Sequence, residues 1–96
     1  MFSLFTSGNY TIWFPQKAKE LMGDGVQVAV TTKPKFKVRN SCTVFLTKEE
    51  DRFLYVPENG FKLNEKAHKD IAEALAPYGD FILSMWEKNG WEMKLK

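Results

Sequence analysis

The sequence holds one cysteine and one histidine in 96 residues. A lone cysteine, Cys42, excludes an internal disulfide and supplies no metal framework. His68 has no acid or nucleophile motif beside it, so the usual constellations of general acid–base and nucleophilic catalysis are missing. Neither GxGxxG nor GxxxxGK[ST] occurs, which removes the two common phosphate cradles. No apolar run approaches the roughly 20 residues of a membrane-spanning helix. The opening MFSLFTSGNY has neither a basic n-region nor a long apolar stretch and is not expected to be a signal peptide. Without a secretory route, the triplet Asn9-Tyr10-Thr11 carries little weight as a glycosylation acceptor. These absences lead to the expectation of a non-enzymatic, cofactor-free protein in a reducing, cytoplasmic setting.

Acid is also missing, but locally. From Gly25 to Lys48 there are five basic residues and no Asp or Glu, whereas the rest of the chain has nine basic and twelve acidic groups. The net charge of +2 therefore conceals one concentrated positive segment. What the chain has in abundance is aromatic surface, with three Trp, three Tyr and eight Phe. Large rings bury much area per residue, which suits a core drawn from so short a chain. The length is that of a single globular domain over residues 1–96, with an expected radius of gyration of roughly 12–13 Å.

Turn signals recur roughly every 8–12 residues, as in short strands joined by tight connections. Residues 2–5 and 10–14 read as two strands. Pro15 opens a helix over 15–22, with Ala18, Leu21 and Met22 as its apolar stripe and Gly23 as its end. Val26, Val28 and Val30 alternate with Gln27, Ala29 and Thr31, and the next strand is read from KPKFKVRN. With Thr32-Lys33-Pro34 as the loop, Val30 stands opposite Phe36 and Val28 opposite Val38, so both apolar sets share a face. CTVFLT and RFLYV make a further hairpin around Lys48–Asp51. Val44, Leu46, Phe53 and Tyr55 fall on one of its faces, and Phe45, Leu54 and Val56 on the other. Pro57–Gly60 reads as a turn. Asn64 caps a second helix whose stripe is Ala67, Ile71, Ala74 and Leu75, and Pro77 and Gly79 end it.

The last segment, DFILSMWEKNGWEMKLK, reads as a hairpin. A three-residue loop with Gly90 in the left-handed conformation sets Met85 opposite Met93 and Leu83 opposite Leu95. Trp86 then lies on the outer face and Trp91 points inward. The expected fold is α+β, an antiparallel sheet of five to seven short strands with two helices packed on one face, in the order ββαββββαββ.

The functional reading rests on Lys33, Lys35, Lys37 and Arg39. On a strand, alternate residues point the same way about 6.6–6.8 Å apart, which gives a basic row about 13 Å long. Such a row suits a polyanion, and specifically a nucleic-acid backbone. Phe36 points away from the cations, so base stacking on a single strand is not expected and duplex backbone contact is. Lysine far outnumbers arginine, which argues against many bidentate guanine contacts. Two other readings stand beside this one. Lysines and Pro34 are also what guards a sheet edge against aggregation. The same strand edge, or an exposed Trp86, also suits docking on an acidic protein partner, as an interaction or inhibitor domain. No metal site, cofactor or membrane contact is expected.

Overall fold

The computed structural model describes residues 1–17, 25–32, 34–60 and 62–95, and of Asn59 the backbone alone. Five strands form one antiparallel sheet in chain order: β1 (Phe2–Ser7), β2 (Tyr10–Phe14), β3 (Gln27–Thr31), β4 (Ser41–Glu49) and β5 (Arg52–Gly60). A C-terminal helical stretch follows, made of α1 (Glu65–Leu75), a single 3-10 turn (Ala76–Tyr78) and α2 (Gly79–Lys88). The α+β class and the antiparallel sheet agree with the sequence pattern. The order ββαββββαββ does not.

Period-two alternation builds the sheet's inner face. Ile12 and Phe14 of β2, Val28 and Val30 of β3, Cys42, Val44 and Leu46 of β4 and Tyr55 of β5 all join one buried cluster. The β4–β5 pairing, with Leu46 opposite Tyr55 and Phe45 opposite Val56, keeps the two faces expected of this hairpin. Pro57 and Glu58 belong to β5 and not to a turn. β5 is the edge of the sheet. A proline is tolerated there because its missing N–H breaks no interior ladder. On β1, the register shifts between Ser3 and Phe5, so that Phe2 opposes Phe14 and Phe5 opposes Ile12. That irregularity at Leu4 puts two phenylalanines three residues apart on the same face.

α1 starts where expected. The Asn64 side-chain oxygen accepts from the Ala67 N–H at 2.7 Å, and Ile71 and Leu75 are fully buried. Pro77 and Gly79 do not end the helical run. Pro77 sits at the first turn of the 3-10 segment, where its missing N–H costs nothing, and Gly79 begins α2.

One expectation falls largely outside the described residues, and two others need correction. The helix read over 15–22 lies mostly outside the described residues, and Pro15–Lys17 adopt no regular structure. The strand read from KPKFKVRN is a loop that ends in a 3-10 turn, Val38–Asn40. β3 pairs instead with β4, Val30 opposite Cys42 and Val28 opposite Val44. The physical reason is burial on both faces of β3, since Gln27, Ala29 and Thr31 are at most 2% exposed. A row of lysines beside them would be stripped of water without partners. Finally, the last hairpin is α2 followed by an irregular tail. In α2, Gly79, Ile82 and Trp86 are buried together, spaced three and four residues apart as on one face of a helix, whereas the strand reading had turned Leu83 and Met85 inward. The tail returns to the sheet, where the Lys94 carbonyl accepts from the Val26 N–H at 3.0 Å.

Candidate functional site

The β3–β4 connection is long because β3 stops at Thr31 and its partner starts only at Ser41. Its described part, Pro34–Asn40, is fastened at two points. Phe36 packs its ring against Trp13, centroids 5.8 Å apart, and Trp13 is itself held by its indole N–H donating to the Thr31 hydroxyl at 2.8 Å. At the other end, the Asn40 N–H donates to the Lys37 carbonyl at 2.9 Å, and the Ser41 hydroxyl donates to the Val38 carbonyl at 2.9 Å. Between these fastenings Lys35, Lys37 and Arg39 are all exposed. None of the three side chains forms an ion pair or hydrogen bond among the described residues. Lys33 lies outside those residues.

The three cations therefore share a loop and not the straight row expected on a strand. Phe36 packs on Trp13, on the face of β3 that holds Ala29 and Thr31, and not opposite Val30 as the strand reading had it. One feature was missed. Val38 is 79% exposed between Lys37 and Arg39, the most exposed large apolar side chain among those described. The signal was present as an apolar residue between two bases, but the strand reading assigned it to a buried face.

Trp86 is not on an outer face. It is 4% exposed on α2, stands edge-on to Phe14 and to Trp91, and its indole N–H donates to the Glu92 carbonyl at 2.9 Å. A ring so enclosed offers nothing to a partner. Trp91 does point inward, stacked on Phe14 with centroids 5.6 Å apart.

The other chemistry-bearing side chains are structural in their contacts. The His68 Nε2 meets the Tyr55 carbonyl at 3.0 Å and ties α1 to β5. Cys42 is buried, and burial pushes its thiol pKa up, which withholds the nucleophilic thiolate. Glu49, the last residue of β4, and Glu50 and Asp51 of the β4–β5 turn are all exposed. Among the described residues no three His, Cys, Asp or Glu side chains come together as a metal-ligand group, and no helix is long and apolar enough to cross a membrane. Compared with protein-family models, curated proteins and solved structures, the chain matches none.

Proposed function

We propose that the protein is a small non-catalytic binding module whose Pro34–Asn40 loop engages a polyanion, duplex nucleic acid contacted through its phosphates without strong sequence choice. The observation that carries this reading is the group of three exposed cations, Lys35, Lys37 and Arg39, without a counter-ion among the described residues. Ammonium and guanidinium groups donate only, so phosphate oxygens are their natural complement. The loop's one aromatic, Phe36, is engaged with Trp13 and is not free to stack on a base. Edge protection loses its premise, because the loop joins two interior strands and lies at no sheet edge.

A second reading is favoured by Val38. An apolar side chain held out between two cations suits an acidic protein surface, and would make the module an interaction or inhibitor domain. Titration of a labelled duplex against salt separates the two. Three phosphate contacts give a log–log slope near −2.7, and a fourth from Lys33 takes it to about −3.6. Changing Lys35 and Lys37 to Ser should flatten the slope by about 1.8 and leave the melting curve unchanged. Val38→Ser should leave duplex affinity unchanged on the first reading and weaken capture of an acidic protein on the second. Absence of duplex binding by micromolar protein at low ionic strength would overturn the nucleic-acid reading.

A further inference from the structure

Four of the five strands have the charge pattern that their positions call for. β2 and β3 are interior and carry no charge, and interior β4 is charged only at its end, in Lys48 and Glu49. β5 is an edge and carries Arg52, Pro57 and Glu58, the residues that keep an edge from pairing further. β1 is the exception. It is the opposite edge of the sheet, yet its sequence, FSLFTS, has no charge and no proline. Among the described residues it pairs only with β2. Its composition is that of an interior strand in an edge position.

From this mismatch we infer that β1 is a self-association edge. Two copies of the chain pair β1 to β1, antiparallel about a twofold axis, and join their sheets into one of ten strands. The inference does not rest on the polyanion reading. A second copy is the occupant that the charges favour. A twofold interface places the same surface on both sides, so a charge near the axis would face its own copy, and of the two edges β1 alone brings none. The edge is also held ready. Phe5 stacks on Tyr78 with centroids 4.0 Å apart, and Phe2 lies against Phe14 at 5.6 Å while remaining 38% exposed. Phe2 thus brings apolar surface to the seam in addition to the main-chain bonds.

The test is sedimentation equilibrium from micromolar to near-millimolar protein. The wild type should reach twice its chain mass of 11.1 kDa. Ser3 and Thr6 are exposed, so Ser3→Lys together with Thr6→Lys should keep the melting curve while setting like charges across the new ladder. That variant should stay at the single-chain mass. A wild type that remains a single chain throughout, as it would if the edge served a different protein, overturns the inference. So does a double variant that still dimerises. Should the variant fold poorly, hydrogen exchange on the wild type decides. Protection of β1 amides must rise with protein concentration, and protection independent of concentration overturns the proposal.

Discussion

Tyr55 buries a hydroxyl that has no hydrogen-bond partner among the described residues. A buried unpaired hydroxyl costs about 1–3 kcal/mol. Tyr55→Phe keeps the ring and removes that cost, so it should raise stability by about 1 kcal/mol or more in denaturant unfolding. A loss of similar size would show that the hydroxyl is hydrogen-bonded. The same residue sets part of the alkaline limit. Burial, and then the negative Asp80, push its ionisation above the ordinary 10.0, and burial raises Cys42 above 9.0. The folded chain keeps protons that the unfolded chain releases, so this stability is complete below about pH 9 and is lost as pH rises further. In thermal melts, the gap between Tyr55→Phe and wild type should widen above about pH 10. Gly60 makes a different demand. Its φ is +111°, and a Cβ there would run into the Ser41 carbonyl. Gly60→Ala should cost more than about 2 kcal/mol by the same denaturant measurement.

At the scale of the element, the C-terminus of α2 turns on Asn89-Gly90. The Gly90 N–H donates to the Glu87 carbonyl at 2.9 Å and the Trp91 N–H to the Trp86 carbonyl at 3.3 Å. This paired pattern, with Gly90 at φ +71°, is a Schellman cap. Its accompanying apolar contact is Trp86 against Trp91 at 4.8 Å. Gly90→Val should therefore cost at least about 1 kcal/mol, because a β-branched side chain fits positive φ poorly. Asn89→Ala should cost less, although it loses the side-chain bond to the Met85 carbonyl. Equal and negligible changes in melting temperature would contradict the cap. For α1, Ile71→Asp places an unpaired charge at a site 1% exposed and should unfold much of the population, visible in the far-ultraviolet dichroism.

The whole molecule is electrically divided. β4 spans nine residues, about 27 Å at the usual rise, with the basic loop before its first residue and the acidic Glu49–Asp51 turn at its far end. That separation is several times the Debye length of about 8 Å at physiological salt. If the loop makes the contacts, Glu49→Gln with Glu50→Gln should leave duplex affinity within about twofold at that ionic strength. If net charge alone drives association, the same pair of changes should strengthen binding several-fold. A fluorescence titration at physiological and at low salt distinguishes the two outcomes.

Local chemistry determines several elements without any long-range contact. The alternation of Val26, Val28 and Val30, the β4–β5 hairpin, the Asn64 cap and the positive φ at Gly90 each follow from side-chain period or a single backbone requirement. Tertiary structure decided which strand lies beside β3. KPKFKVRN and SCTVF both offer an apolar alternation in phase with it, and only burial of the second face excludes the one with lysines. It also decided between helix and strand for FILSMW, whose apolar residues satisfy both periods. The inner face of the sheet required cover over Ile12 and Phe14, and a helix carrying Ile82 and Trp86 supplies it. The candidate site divides in the same way. Which residues are cations without a neighbouring acid is a property of the sequence. That they sit on a loop pinned by Phe36 to Trp13, with Val38 held out between them, depends on a contact spanning more than twenty positions of the chain, which no local pattern encodes.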